Sequence, residues 1–220
     1  MSTKDCGNHD EKNRQFLRCL FAAILGSILL LIFLIWIILR PTKPLFILQD
    51  ATVYAFNLSS SGSGPTPSPI NPTPNTLTLT LQVTLASFNP NHRIGVIYTK
   101  LDTYSAYRGQ QLSIATSLPA TYQGHRETAV WSPYLYASAA PVSSFTLQIL
   151  QQDRTSGGIL VNVKVSGRVK WKVGTWVSGN YHINVNCPAY LRVASDRDDA
   201  VGFAGPAIKF QLSQSCIVDV

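Results

Sequence analysis

The sequence has few charged residues, one methionine and four cysteines, and these shortages already restrict what the protein can be. Charged residues make up 13% of the 220 residues and hydrophobic residues 45%. The charged share is about half of the ~25% that is usual in soluble domains. A chain of this composition is not disordered throughout, and the shortage of charge indicates that part of it lies in lipid. One Met and four Cys support neither a Met-rich binding groove nor a disulfide-dense scaffold.

The sequence also lacks the common short motifs of catalysis and metal binding. It contains no H-E-x-x-H, G-x-S-x-G, G-x-x-x-x-G-K or C-x-x-C pattern. Its histidines are widely separated, namely His9, His92, His125 and His182. The acidic residues Asp196, Asp198 and Asp199 lie close together, but their spacing departs from the calcium-loop pattern, so we expect a solvated loop. The motif search therefore indicates neither a catalytic nor a metal site.

A long apolar segment near the N-terminus predicts a membrane anchor. The 21 residues from Cys19 to Leu39 carry no charge, and as a helix they would extend roughly 31 Å, close to the ~30 Å hydrocarbon core of a bilayer. Arg40 and Pro41 follow directly, without the small-residue cleavage site of a secretory signal peptide. We therefore expect a tail over 1–18, a transmembrane signal anchor over 19–39 and a folded domain over 40–220.

The charges that flank this span predict its orientation. The basic residues before it are Lys4, Lys12, Arg14 and Arg18, and those after it are Arg40 and Lys43. Because Lys and Arg accumulate on the cytoplasmic side, the N-terminus is expected in the cytoplasm and the C-terminal domain on the exoplasmic side. The net charge of +7 favours acidic surfaces, yet basic residues are too sparse to predict a nucleic-acid partner.

Alternating patterns predict a β-sandwich after the span. Apolar and polar residues alternate over Thr76–Ser87 and over Ile159–Val173, a period typical of half-buried antiparallel strands. Further strands are predicted at Tyr181–Cys187 and Lys209–Val220, with weaker candidates at Leu45–Leu58, Arg93–Tyr107, Gln111–Leu118 and Gln123–Trp131. One helix is predicted over Val142–Gln152, where Phe145 and Ile149 share an apolar face with the first residue. Short strands at this spacing predict an all-β, antiparallel sandwich.

The segment Ser59–Asn75 interrupts these patterns with serine, glycine and proline. It could be a linker between a juxtamembrane strand and the domain, or a long loop inserted after the first strand. We favour the loop, because the strand before it needs a partner. Asn57-Leu58-Ser59 just before it is the one N-x-[ST] sequon, so Asn57 is the predicted glycosylation site.

Two cysteines of the domain could form a disulfide. Cys187 and Cys216 each lie on the apolar parity of a predicted strand, so both side chains are expected to face the core. The predicted topology places them in an oxidising compartment. A bridge requires Cα atoms within ~7 Å of each other, and the alternative is two buried thiols.

Four basic residues of the strand Ile159–Val173 share its polar parity. They are Lys164, Arg168, Lys170 and Lys172, which we call the basic ladder. Neighbours two residues apart on one face of a strand lie about 6.6 Å apart, so these charges form a row. Such a row could contact lipid headgroups or an acidic polysaccharide. The alternative is a solvated strand face that is kept polar for solubility.

Three motifs, in order along the chain, resemble those of a known plant family. They are Asn89-Pro90-Asn91 with Arg93–Tyr98 after it, Gly167–Gly174 (Gly-Arg-Val-Lys-Trp-Lys-Val-Gly) and Tyr181–Pro188 (Tyr-His-Ile-Asn-Val-Asn-Cys-Pro). Shorter matches are Tyr122-Gln123-Gly124-His125 and Trp131-Ser132-Pro133. With the preceding single span, the set resembles the plant late embryogenesis abundant group 2 domain. More narrowly, it resembles the harpin-induced, non-race-specific disease resistance-like membrane proteins, from about Cys19 to Val220.

The resemblance implies a Greek-key-like sandwich of about seven strands with one short helix. It also implies a plasma-membrane location, a role in plant defence or stress such as the pathogen-induced hypersensitive response, and neither enzymatic activity nor a cofactor. The expected partners are the lipid bilayer, other proteins or an acidic cell-wall polymer. The alternative function is a lipid-binding or lipid-transfer module, which a large open apolar pocket would favour.

The motif Asn89-Pro90-Asn91 has a physical interpretation beside the resemblance. Asn side chains form hydrogen bonds that close turns, and Pro90 fixes φ where a strand ends. We therefore expect a structural role for Asn89 and Asn91. Contact with a partner is the alternative.

Overall fold

The structure is a computed structural model that describes residues 7–38, 41–59, 75–191 and 208–220. The chain divides into two units, Met1–Pro41 and Thr42–Val220. Most of the predicted Ser/Pro-rich loop at 59–75 lies outside the described residues. The acidic cluster Asp196, Asp198 and Asp199 lies wholly outside them.

The first unit is a single long helix, α1, over Gly7–Ile38. Its apolar window, Arg14–Leu34, spans 21 residues with a mean hydropathy of 2.6, and none of it is buried against protein. A helix of that length extends about 31 Å, enough to cross a bilayer. The helix is consistent with a single-pass membrane anchor, and the predicted end of the span at Leu39 lies outside the described residues.

The described part of the second unit contains thirteen strands and one helix, α2, over Ser144–Thr155. The strands are β1 Leu45–Ser59, β2 Thr76–Phe88, β3 Gly95–Tyr107, β4 Gln110–Gln111, β5 Thr116–Leu118, β6 Thr121–Gln123, β7 Thr128–Trp131, β8 Tyr134–Pro141, β9 Ile159–Val173, β10 Trp176–Val177, β11 Tyr181–Leu191, β12 Ile208–Ser215 and β13 Ile217–Asp219. Among them, β1, β2, β3, β8, β9, β11 and β12 have eight residues or more.

These strands form two antiparallel sheets. The first sheet has the order β12-β1-β2-β7, and β8 also pairs with β2. The second has the order β13-β11-β9-β3-β4, with β10 on β9 and with β5 and β6 on β3. Buried apolar side chains from both sheets form one core, in which the rings of Phe46 and Tyr98 meet across the sheets with centroids 6.2 Å apart. The prediction of an antiparallel β-sandwich with one short helix is confirmed.

The alternation in the sequence explains which side chains fill this core. On β2, Leu77, Leu79, Leu81, Val83 and Leu85 are fully buried, while the threonines and the glutamine between them are half-buried on the other side. On β9, Val161, Val163, Val165, Val169 and Trp171 are buried in the same way. Period-two alternation places one parity of each strand between the sheets.

The helix α2 forms close to the predicted range, but its predicted apolar face is wrong at Phe145, whereas Ile149 is half-buried against the core. Phe145 is 71% exposed, whereas Leu147 and Leu150 are buried. The helix begins only after Ser143, whose hydroxyl caps it by accepting a hydrogen bond from the Thr146 backbone N–H at 3.0 Å. Val142 is buried but precedes the helix, so it does not define the helical face that we predicted from it.

The single C-terminal strand predicted over Lys209–Val220 is also wrong in one respect. It divides at Cys216, so that β12 pairs with β1 in the first sheet and β13 pairs with β11 in the second. At the division the Cys216 backbone N–H donates to the Phe46 carbonyl at 2.9 Å. The end of the chain therefore passes from one sheet to the other.

Two further elements differ from the prediction in detail. The candidate Gln111–Leu118 forms two short strands, β4 and β5, and β8 was not predicted at all. Ser59 at the end of β1 pairs with Thr76 at the start of β2. The segment between them thus connects two neighbouring antiparallel strands.

Candidate functional site

Asn89 lies at the end of β2 and connects three backbone segments. Its side-chain N–H groups donate to the carbonyl of Ile94 and to that of Gly124, both at 2.8 Å. Its Oδ1 accepts from the Asn91 backbone N–H at 3.1 Å and from the Asn91 side chain at 2.9 Å. Asn89 is fully buried. Every polar atom of this amide is therefore used inside the domain, which is a structural role.

Asn91 ties this loop to the first residues of the domain. Its Nδ2 donates to the Thr42 carbonyl at 2.8 Å, and its Oδ1 accepts from the Thr42 backbone N–H at 2.9 Å. The side-chain amide thereby pairs with a backbone segment as a neighbouring strand would. The structure gives Asn89 and Asn91 internal partners, and Pro90 lies half-buried between them.

A second buried polar network lies beside the first. The Tyr98 hydroxyl donates to Gln123 Oε1 at 2.9 Å and lies 2.8 Å from the Ser87 hydroxyl. Burial raises the pKa of Tyr98, so the phenol stays protonated. The ring of Tyr98 meets that of Trp131 edge-on, with centroids 5.4 Å apart. The shorter family matches around Gln123 and Trp131 thus contribute to packing.

Gly167 on β9 permits a close approach between two strands. A Cβ atom at this position would collide with the Lys100 carbonyl oxygen and would lie 2.9 Å from Leu101 Cα. The adjoining irregularity lies on β3, between Tyr98 and Lys100, and not on β9 itself. The extra residue of this irregularity therefore belongs to β3, the strand that Gly167 faces.

Cys187 and Cys216 form a disulfide in the structure, with an S–S distance of 1.99 Å and Cα atoms 4.3 Å apart. Cys187 on β11 is fully buried, whereas Cys216 is half-buried at the division between β12 and β13. The bridge therefore fastens the C-terminal crossing to the second sheet.

Asn57 lies on β1 opposite Thr78 and is half-buried. Its Oδ1 is buried and has no hydrogen-bond partner among the described residues. Ser59, the third residue of the sequon, is exposed at the end of the strand. Glycosylation of Asn57 stays a prediction.

The basic ladder lies on the outer face of the second sheet. Arg168 is exposed, and the three lysines are half-buried. Among the residues that the structure describes, no ladder side chain forms an ion pair with an acidic group. The Lys172 ammonium lies 5.0 Å from the ring centroid of Tyr122. Such a contact orients the charge without neutralising it.

Neighbouring strands extend this basic face beyond β9. Lys100 on β3 and His182 on β11 are in register with Arg168, one on each side. The sequence pattern did not predict either residue, because Lys100 and His182 come close to Arg168 through strand pairing and are far from it along the chain. Lys100 forms an ion pair with Asp102 at 3.4 Å, so its charge is partly offset.

A shallow cavity of about 240 Å³ lies beside Lys164 at one end of the ladder. Its lining includes Tyr104, Lys164, Asn184, Asn186 and Asp219. Asn186 Oδ1 is buried without a hydrogen-bond partner in the described part of the chain. A ligand hydroxyl could donate to this oxygen while an anionic group approaches Lys164.

The described residues contain no group of three His, Cys, Asp or Glu side chains that could hold a metal ion. His92 and His125 lie in exposed positions between strands, and His182 lies on β11. His92 contacts the Arg126 guanidinium. The structure does not bring these three histidines together.

The lipid-binding alternative requires open apolar space between the sheets. In the described part of the chain, the inward side chains of β1, β2, β3, β9 and β11 form one buried cluster. Three aromatic residues fill one end of it, with Phe46 and Trp131 stacked at 6.4 Å. This dense packing counts against an acyl-chain cavity of that kind.

Comparisons with known proteins agree with the fold and its motifs. Residues 74–188 match the family model of late embryogenesis abundant protein. NDR1/HIN1-like protein 1 of Arabidopsis thaliana is 44% identical over 220 residues, covering 99% of this chain and 100% of the relative. NDR1/HIN1-like protein 12 of the same plant is 43% identical over 224 residues, covering 100% of both chains. This chain therefore belongs to the late embryogenesis abundant protein family and, within it, to the NDR1/HIN1-like proteins.

Proposed function

We propose that this protein is a membrane-anchored, non-enzymatic interaction protein of plant defence or stress response. It acts at the plasma membrane, where its β-sandwich contacts an acidic cell-wall polymer or a partner protein. The family membership supports the defence or stress role. The observation that carries the proposed contact is the basic ladder, a row of four cations without acidic partners among the described residues.

The proposed orientation places the N-terminus in the cytoplasm and the β-sandwich outside. Basic residues are more numerous before the span than after it. The disulfide between Cys187 and Cys216 supports the same orientation, because such bonds persist in oxidising compartments. The sequon at Asn57 would then lie in the compartment where glycosylation takes place.

The basic face would attract an acidic polymer from a distance by its charge and would then bind it by direct contacts. Its charges attract an acidic polymer over a distance that salt screens to about 8 Å at physiological ionic strength. At contact, the cavity beside Lys164 offers a cation together with the amides of Asn184 and Asn186. These groups suit a carboxylated sugar, whose hydroxyls need donors and acceptors.

The test is co-sedimentation of the full-length protein in nanodiscs with pectin, across a series of salt concentrations. Lys170→Gln combined with Lys172→Gln should weaken binding about thirtyfold at low salt, since each basic side chain near an anionic surface contributes about 1 kcal/mol. The matched control is Arg108→Gln with Lys209→Gln. It removes the same charge, but from basic residues paired with Asp153 and Asp50, which do not line the cavity.

Three results would contradict this proposal. The first is an affinity for pectin that does not change with salt concentration. The second is an equal affinity of the wild type and the ladder variant, and the third is an equal loss of affinity in the ladder variant and the control variant. A parallel series with anionic vesicles separates lipid from polymer. A ladder-dependent loss with vesicles but none with pectin would contradict the cell-wall contact.

A further inference from the structure

The outer face of the first sheet carries three exposed tyrosines that touch one another in a row. They are Tyr54 on β1 and Tyr134 and Tyr136 on β8, which are 39%, 38% and 50% exposed. The ring centroids of Tyr54 and Tyr134 lie 5.8 Å apart, and those of Tyr134 and Tyr136 also lie 5.8 Å apart. The second pair is stacked with an interplanar angle of 19°. We call these three residues the tyrosine strip.

The strand pairing builds the strip around the middle strand, β2. Gln82 on β2 is opposite Thr52 of β1 on one side and Tyr134 of β8 on the other. Alternation with the buried Ala51 and Val53 places Tyr54 on the outer face, and the irregularity in pairing between Val53 and Ala55 lies at this position. The Tyr54 hydroxyl donates to Gln82 Oε1 at 2.9 Å, which fixes its ring beside Tyr134.

The surface around the strip is hydroxyl-rich and close to neutral. Half-buried polar residues of β2 lie along it, namely Thr78, Thr80, Gln82 and Thr84. Asp50 on the same sheet accepts from the Thr84 hydroxyl at 2.8 Å and pairs with Lys209 at 3.4 Å. The hydrogen-bonding contact with the phenol of Tyr134 raises the pKa of Tyr54, so the Tyr54 phenol stays uncharged.

We propose that the tyrosine strip binds a neutral polysaccharide chain. A sugar ring presents an apolar C–H face that stacks on an aromatic ring, and its hydroxyls at the ring edge need hydrogen-bond partners. The strip supplies stacked rings in a row, and the threonines and Gln82 supply the polar partners beside them. The surface suits an extended, uncharged polymer better than a phosphate-bearing lipid, because its Asp50 and Lys209 charges neutralise each other.

This contact is independent of the basic ladder, which lies on the other sheet. A neutral chain on the strip and an acidic chain on the ladder would be bound by opposite faces of one sandwich. The two faces should also differ in salt dependence, since stacking is insensitive to the screening that weakens charge attraction.

The test uses the full-length protein in phosphatidylcholine nanodiscs and neutral hexasaccharides of β-1,4-glucan, β-1,3-glucan and β-1,4-mannan, with binding measured by calorimetry. The wild type should bind at least one of them, with a Kd unchanged between about 50 mM and about 500 mM salt. Tyr134→Ala and Tyr136→Ala should each weaken binding about five- to tenfold, and Tyr134→Phe should retain it because the ring remains.

The matched control is Tyr181→Ala, which removes a tyrosine that is 49% exposed on the second sheet. It should bind like the wild type, and so should the ladder variant Lys170→Gln with Lys172→Gln. Unchanged thermal unfolding of the variants shows that they are folded. The proposal is overturned if none of the three hexasaccharides binds, or if Tyr181→Ala weakens binding as much as the strip variants do. It is also overturned if the strip variants lose vesicle binding or self-association while sugar binding stays unchanged.

Discussion

Among single residues, Asn89 connects more backbone segments than its size suggests. One buried amide satisfies the carbonyls of Ile94 and Gly124 and two N–H groups of Asn91. Through Asn91 the same network reaches Thr42, the first residue of the β unit. The stability of this end of the sandwich should therefore depend strongly on Asn89.

We expect Asn89→Ala to lower the free energy of unfolding by about 1–3 kcal/mol for each buried partner that it leaves unpaired. Asn89→Asp is the sharper variant, because a carboxylate still accepts from Asn91 but cannot donate to Ile94 or Gly124. Urea unfolding of the full-length protein in detergent, followed by tryptophan fluorescence, measures both. The control Asn184→Ala changes an exposed asparagine and should shift stability by no more than about 0.5 kcal/mol. Asn89→Asp as stable as the wild type would contradict the role of the donated hydrogen bonds.

Gly167 gives a second prediction about a single residue. Gly167→Ala should destabilise the domain by at least about 1–3 kcal/mol, since its Cβ would meet backbone atoms of Lys100 and Leu101 that cannot move aside. Gly179→Ala is the matched control, because a Cβ there meets nothing within 4 Å. Equal unfolding midpoints for the two variants would show that β3 can shift to accommodate a methyl group.

Among the elements of the fold, the disulfide fastens the point at which the C-terminus changes sheets. It joins residues 29 positions apart. In the chain-entropy model, a bridge closing a loop of that length contributes about 3–4 kcal/mol.

Cys216→Ala should lower the free energy of unfolding by about that amount, and a reducing agent should lower the wild type to the same level. The control is Cys19→Ala, which changes a free and exposed cysteine of α1. Thiol labelling of the denatured, unreduced protein should leave both Cys187 and Cys216 unlabelled. Labelling of both cysteines would contradict the bridge, and so would a free energy of unfolding of the wild type that is unchanged by the reducing agent.

The elements with the clearest alternation could be predicted from the sequence, and those without it could not. Strand β2 keeps apolar residues on one parity from Leu77 to Leu85, and β9 does so over most of Ile159–Val173, so the period predicts which side chains are buried. Strand β8 carries tyrosines on its outer face and Leu135 and Ala137 on its inner face. Because both faces carry apolar rings or side chains, the sequence shows no alternation of apolar and polar residues from which a strand could be predicted. The position of α2 was predictable, but the burial of Leu147 and Leu150 was not, because the helix begins after its cap Ser143 and so excludes Val142, from which the apolar face was predicted.

Surfaces built by several strands were only partly predictable. All four ladder residues belong to β9, so alternation alone places them on one face. The tyrosine strip combines β1 with β8, and Tyr54 lies at an irregularity in the pairing of β1 with β2. Tyr54 and Tyr134 are 80 positions apart in sequence and meet only through β2. Contacts of this kind depend on register, which the sequence pattern alone does not determine.

For the whole molecule, the proposed arrangement has a helix that anchors the protein in the membrane and a β-sandwich that lies outside the cell. Both proposed surfaces depend on this arrangement in the plant, because acidic and neutral wall polymers are exoplasmic. The apolar window of α1, the excess of basic residues before it and the disulfide all support this arrangement.

The sidedness of Asn57 and of the β-sandwich tests this arrangement most directly. We predict that glycosidase treatment lowers the apparent mass of the protein from plant membranes, and that Asn57→Gln abolishes this shift. In right-side-out vesicles, added protease should digest the β-sandwich and leave the cytoplasmic N-terminus protected. Protection of the β-sandwich in such vesicles would contradict the proposed orientation.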